Sequence, residues 1–189
     1  MPRAVVLVEG QSDRNAVEAL ARRRGVDLTA GGVAVVPMGG ITNLHRFLVT
    51  FGPAGPGSPV VGLYDAAEER VVRQALERTG VELASGPAGL ESAGFHACVP
   101  DLEAELIRAL GVAAMEAVIT ARGERGALRT FRTQRHWAGR PPEDQLRRLL
   151  GSGGSRKTEY APLLVAALDA ERVPPPLERV LADALRVAG

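Results

Sequence analysis

The stretch Val5-Val6-Leu7-Val8-Glu9-Gly10-Gln11-Ser12-Asp13 constrains the fold more than any other part of the chain. Four consecutive apolar, mostly β-branched residues are the pattern of a strand buried on both faces, which implies a parallel sheet covered by helices. Gly10 permits a close turn and Ser12 is placed to cap. Ala16, Val17, Leu20 and Ala21 then recur at helical spacing. Glu9 falls at the carboxyl edge of the strand, and Asp13 one turn into the next element. Open parallel sheets keep their ligands at that edge. The plainer alternative is a solvated strand end at Glu9 and a favourable first-turn acid at Asp13.

Strand, acid and helix then recur, as βαβ topology expects. Val33 to Val36 reads as a second strand closed by Pro37, and Met38-Gly39-Gly40 leads into a helix reaching about Thr50. The two glycines serve either to bring backbone N–H groups to a phosphate or to make a tight strand-to-helix turn. Gly52 to Pro59 reads as a flexible surface connection. Val60 to Tyr64 is a third buried strand with Asp65 at its end, followed by a helix from Ala67 to Thr79 with Glu68 and Glu69 in its first turn. A loose segment from Ala84 to Gly94 precedes the strand Phe95 to Val99, which Pro100 stops. Asp101 and Glu103 open a helix carrying Leu102, Leu106, Ile107 and Leu110.

From Val112 onward the pattern is helical. Ala113 to Ala121 and Glu143 to Leu150 are predicted helices, the second with Pro142 at its N-terminus. Between them Gly123 and Gly126 loosen the chain, and Leu128, Phe131 and Trp137 are scattered apolar anchors among arginines. Gly151 to Gly154 is expected to be mobile, Ser155 caps a helix running to about Ala170, and Pro174 to Pro176 form a rigid spacer before a last helix striped by Leu177, Val180, Leu181 and Leu185. The expected division is a core over residues 1–110 and a helical, Arg-rich extension over 111–189 packed on it.

At 46% hydrophobic and 24% charged residues the composition is that of a globular protein with one good core. No signal-like start and no apolar run near the length of a membrane span is present, so the expected location is the cytoplasm, away from membranes. The lone Cys98 excludes an internal disulfide framework. The net charge of +1 is unevenly spread: residues 122–157 hold ten basic and three acidic side chains. Such a basic segment beside an acidic edge suits an enzyme that attracts a polyanion to a site whose own carboxylates repel it. Arg129, Arg132, Arg135, Arg140 and Arg156 are the candidate nucleic-acid contacts; the bland alternative is a solvated, arginine-rich helical surface. Five acids, Glu9, Asp13, Asp65, Asp101 and Glu103, fall at strand ends or immediately after them, and an oxygen-only donor set favours Mg²⁺ or Mn²⁺ over zinc.

Glu9-Gly10-Gln11-Ser12-Asp13 resembles the opening motif of TOPRIM domains. The wider front half resembles the TOPRIM nuclease portion of the overcoming-lysogenization-defect (OLD) family, through Val35 to Gly40, Gly62 to Asp65, Asp101 to Glu103 and the region of Lys157. The resemblance implies an α/β, Rossmann-like TOPRIM fold with a mainly parallel sheet, followed by a helical C-terminal region. It also implies cleavage of DNA phosphodiesters with Mg²⁺ or Mn²⁺, two ions in all. Glu9, Asp65 and Lys157 then take catalytic roles, and Glu9, Asp13, Asp65, Glu68, Asp101 and Glu103 hold metal. DNA is the expected partner ahead of RNA, with an ATPase supplied by a separate chain or independent action both open. The chain departs from the family pattern at Ala67, where the Asp-x-Asp motif that begins at Asp65 places its second aspartate. Glu68 is the nearest replacement. A weakly active or inactive nucleic-acid-binding or regulatory TOPRIM module, or an RNA-processing nuclease, is the alternative. Lys157, the one lysine beside 22 arginines, offers a compact donor to a phosphoryl oxygen.

Overall fold

In the computed structural model, which describes residues 1–52, 55–152 and 155–189, the opening run forms β1 (Ala4–Val8) with all five side chains buried. It is followed by α1 (Gln11–Arg23), β2 (Val33–Pro37), α2 (Leu44–Phe51), β3 (Val60–Asp65), α3 (Glu69–Glu77), α4 (Pro87–Ser92) and β4 (Phe95–Cys98). The chain then becomes wholly helical: α5 (Leu102–Leu110), α6 (Val112–Ala121), α7 (Arg125–Thr133), α8 (Pro142–Leu150), α9 (Arg156–Ala167) and α10 (Pro175–Ala188). The four strands are all parallel and lie in the order β2-β1-β3-β4.

Alternation along β1 divides the interior into two layers. Ala4, Val6 and Val8 face a core shared with Leu20, Leu106, Ile119, Tyr160 and Leu181, whereas Val5 and Leu7 face Leu44, Tyr64, Leu76 and Phe95. Each buried Val or Leu contributes roughly 1.5–3 kcal/mol relative to exposure, so a strand with no solvated face is the natural nucleus of both layers. Helices α1 and α10 cover the sheet on the first side, and α2 and α3 on the second. The crossover from β1 leads to β2 on one flank, while β3 returns on the other flank of β1. The winding therefore reverses between β1 and β3, and the carboxyl ends of those two strands carry Glu9 and Asp65. A crevice at such a reversal is where open α/β sheets bind ligands.

Several stretches differ from the sequence expectation. The first helix starts at Gln11, before Ser12, because the Gly10 N–H donates to Asp13 Oδ2 at 2.8 Å and fixes the first turn from its third position. Ala66–Glu68 is a 3₁₀ turn, so the third helix begins at Glu69. Within the expected loose segment, Pro87 starts the short α4, whose Leu90 is fully buried. Gly126 does not prevent α7, since Leu128 and Phe131 are buried one turn apart and their packing outweighs the propensity cost of a glycine. The helix expected to reach Ala170 ends at Ala167, where Leu168 turns extended and is buried. Pro175 and Pro176 are the first turn of α10 and not a spacer; their missing N–H groups have no helical partner to lose there. The connection Gly52 to Pro59 and the loop Gly151 to Gly154 fall partly on residues outside those described. Among the described residues no helix is long and apolar enough to cross a membrane.

Candidate functional site

The site is assembled by three strand ends. The Glu9 carbonyl accepts from Gly39 N–H at 3.0 Å and from Gly40 N–H at 3.2 Å, and Val8 O accepts from Met38 N–H at 2.9 Å. Gly39 and Gly40 have φ of 71° and 121°, so side chains with a Cβ are strained at both positions. Their amides are turned onto Glu9, which makes the pair a tight turn that anchors the strand exit. At the other strand ends, Ala66 N–H donates to Pro100 O at 3.2 Å, tying the exit of β3 to that of β4 and bringing Asp65 beside Asp101. Asp101 caps α5, its Oδ1 accepting from Ala104 N–H at 2.8 Å. Glu103, buried in the first turn of α5, faces α9, where Lys157 Nζ lies 3.1 Å from its Oε2.

A proline sets the position of that lysine. Pro162, inside α9, lacks the N–H that would bond Thr158 O, and the freed carbonyl accepts from Asn15 Nδ2 of α1 at 2.9 Å. Arg23 Nη1 bonds Val165 O at 2.8 Å further along. With α9 so docked on α1, its first turn, holding Lys157, stands over the carboxylates.

The electrostatics record the crowding. Burial first, and then the charges of Asp101, Asp13, Glu9 and Glu103, push the Asp65 carboxyl up to about 7. Burial, reinforced by Glu103 and Glu9, raises Asp13 to about 6, although the Gly10 N–H works against the shift. Glu9 is raised by burial and then by Glu68, whose charge reaches it from the 3₁₀ turn. Lys157 is pulled down by burial, but the charge and hydrogen bond of Glu103 outweigh this and leave it raised. All six predicted carboxylates and Lys157 thus act on one another at the winding reversal, and Ala67 is exposed beside them. The Cys98 thiol behind the site is pushed up by burial and by the charges of Asp13 and Asp65, so it stays protonated and inert.

The chemistry of this donor set suits a hard divalent cation, since it is all carboxylate oxygen with two members under repulsion. The arrangement does not. Asp101 Oδ1 is used as the α5 cap, and its Oδ2 accepts from Arg147 Nε at 2.7 Å and also from Arg147 Nη2. Glu103 is engaged by Lys157. Among the described residues no three His, Cys, Asp or Glu side chains converge as a metal centre. In this conformation cationic side chains neutralise Asp101 and Glu103, two of the six acids that a metal would draw on.

Beyond Asp101 and Lys157 the site opens into a cleft of about 510 Å³, also lined by Trp137, Arg140, Arg147 and Arg148. Of the five arginines that sequence suggested as nucleic-acid contacts, Arg140 lines this cleft. Arg132 bonds Glu116 at 2.6 Å and Gln145 at 3.0 Å, and Arg156 pairs with Glu124 at 3.1 Å while capping the Ser152 carbonyl at 2.6 Å. Arg129 and Arg135 are exposed, on α7 and just after it. Sequence reasoning passed over Arg147, Arg148 and Trp137. Their signal was a pair of arginines just ahead of Leu149 and Leu150, whose apolar side has to face the core and so leaves both guanidinium groups at the rim.

Comparison with known proteins bears on this geometry. Residues 2–66, from β1 to the end of β3, match the overcoming lysogenization defect protein-like family, TOPRIM domain. No curated protein matches the sequence significantly. The C-terminal region of the Burkholderia pseudomallei OLD protein has a similar fold, with a TM-score of 0.76 at 22% identity and 100% of both chains covered. The C-terminal region of the Xanthomonas campestris pv. campestris OLD protein gives a TM-score of 0.75 at 26% identity, covering 99% of this chain and 94% of that one. The edge bearing Glu9, Asp13 and Asp65 lies inside the matched span, and the chain accordingly carries an OLD-like TOPRIM domain.

Proposed function

We propose that this chain is a nucleic-acid-binding TOPRIM module in which two acids of the carboxylate edge, Asp101 and Glu103, are neutralised by its own cations. The observation that carries the reading is the pairing of Arg147 with Asp101 and of Lys157 with Glu103 at the mouth of a basic cleft. Arg140 and Arg148 of that cleft have no carboxylate partner among the described residues, so their charge is free for phosphate oxygens. Affinity for DNA or RNA then falls steeply as salt rises, since each neutralised phosphate releases condensed counterions. Fluorescence anisotropy of labelled DNA across a salt series tests this; binding with no salt dependence, or none at low salt, removes the reading.

A second reading is favoured by Asp13 and Asp65, which are raised by burial and by neighbouring carboxylates and form no ion pair among the described residues. It is hydrolysis of DNA phosphodiesters in the presence of Mg²⁺ or Mn²⁺, with RNA a less favoured substrate. Turnover on this reading requires Arg147 and Lys157 to withdraw from Asp101 and Glu103, and Ala67 leaves one family carboxylate missing. Plasmid nicking by purified protein, compared with Glu9→Ala, separates the readings: cleavage lost in the mutant and with chelator supports hydrolysis, and equal cleavage in both proteins identifies a contaminant.

A further inference from the structure

Resting on the nucleic-acid reading above, we propose that the cleft beside Asp101 is a seat for an unpaired nucleotide, with its base stacked on Trp137 and its phosphates held by Arg140 and Arg148. Trp137 is only half-buried. Its ring is backed by Phe131, with centroids 5.3 Å apart and planes 27° apart, and His136 meets it edge-on at 5.3 Å. The backbone is equally fixed, because the buried Gln145 donates its Nε2 to Trp137 O at 2.8 Å and so ties the loop to α8. An aromatic surface held in this way meets an incoming base with little ordering cost.

Two features select a single strand over a duplex, and a third places its phosphates. The cleft's volume of about 510 Å³ falls in the range of small-ligand pockets, which admits a nucleotide but excludes the width of a double helix. A duplex keeps its base faces stacked, so an indole in a recess can meet them only after unpairing, whereas single strands offer a π-face at every residue. The cations are arranged unequally: Arg147 is held on Asp101 and Lys157 on Glu103, while Arg140 and Arg148 form no ion pair among the described residues, although Asp144 also lines the cleft. The free pair thus marks the phosphate positions, and the paired ones mark the border with the acidic edge. A strand entering past Trp137 reaches that edge through Asp101 and Lys157, which belong to both.

Trp137 is the only tryptophan in the chain, so its emission reports on the cleft directly. The test titrates the full chain, in EDTA, with a short oligothymidylate and with a duplex of the same length, reading Trp137 fluorescence and the anisotropy of an end label together. The expected result is saturable quenching by the oligothymidylate in step with anisotropy, at roughly tenfold higher affinity than for the duplex. Trp137→Leu is expected to weaken single-strand binding roughly tenfold, from the loss of one stacked base. If that variant does not fold, the Arg140→Ala, Arg148→Ala double variant retains the reporter, and a roughly tenfold loss of quenching affinity is expected of it. Binding with silent Trp137 fluorescence, or equal affinity for both strands, overturns the seat while leaving nucleic-acid binding in place. Absence of binding to either probe overturns both.

Discussion

Asn15 of α1 donates to Thr158 O of α9, the carbonyl that Pro162 leaves without a helical partner. One side chain thereby repairs a helix defect and docks the element that carries Lys157. Asn15→Ala is expected to lower stability by about 1 kcal/mol in urea unfolding through loss of that donor, and Asn15→Asp at least as much, since a carboxylate has no hydrogen to offer the carbonyl. The more specific consequence is positional. A loosened α9 lets Lys157 leave Glu103, so the Lys157 ammonium titrates closer to its ordinary value in Asn15→Ala, which NMR of the labelled side chain can follow. An Nζ titration identical to wild type would detach the brace from the site.

Arg147 and Asp101 give a second test, because their bonds occupy an oxygen that sequence alone leaves free. Asp101 is almost wholly buried while Arg147 is about half exposed, so removing the arginine strands a carboxylate with no solvent to replace it. Arg147→Met is expected to cost about 2 kcal/mol, Asp101→Asn somewhat less because the amide still caps α5, and the double variant less than the sum. A double-mutant cycle by chemical denaturation gives the coupling; additive losses would show the pair to be energetically idle.

What sequence made legible, and what it hid, follow from the range of the interactions. Glu9, Asp13 and Asp65 were visible because each sits at a strand end or in the first turn of the helix that follows one, which local patterning defines, and the strand order then brings those ends together. The pairing of Arg147 with Asp101 was invisible: it spans 46 positions and depends on the packing of α8 against α5, which no periodicity encodes. Trp137 read as one scattered apolar anchor, since its role in the cleft depends on Phe131 lying behind it after the turn that follows α7. The glycines at 39 and 40 were ambiguous in sequence and were decided by where their N–H groups point. The same limit applies to α7, where Gly126 suggested a loosened chain until the burial of Leu128 and Phe131 was in view.

The raised carboxyls of Asp65 and Asp13 fix a pH dependence of stability. Between the unfolded value near 4 and the folded values of about 7 and about 6, the folded state binds more protons than the unfolded chain. Stability therefore falls as pH rises through that window and levels off above it. Asp183, whose carboxyl is lowered by Arg186 and His96 against the opposing effect of burial, acts in the opposite direction and at more acid pH. In EDTA, Tm is expected to drop between about pH 5 and about pH 7.5, and Asp65→Asn to remove the larger share of that drop and to raise Tm at the upper pH. Calorimetric scans of both proteins across the window measure it; a Tm that climbs with pH in wild type would contradict the crowding of these acids.

The last expectation concerns Lys157, whose ammonium stands where a cation is needed. Lys157→Ala leaves the buried Glu103 without its partner, next to Asp13 and Glu9, which already feel its charge. The variant is expected to lose about 1–2 kcal/mol of stability in EDTA at neutral pH, because an uncompensated buried carboxylate costs more than a solvated one. Millimolar Mg²⁺ or Mn²⁺ then restores part of the loss, since an ion that binds the folded state alone stabilises it by mass action. Wild type, with Glu103 already neutralised, gains less from the same addition, and Lys157→Arg behaves like wild type if charge at this position is all that matters. Thermal shifts of the three proteins, with and without divalent ion, give the comparison. Equal shifts in Lys157→Ala and wild type would mean that Lys157 does not occupy the place of a cation, and would return it to the rim of the cleft as one more phosphate contact.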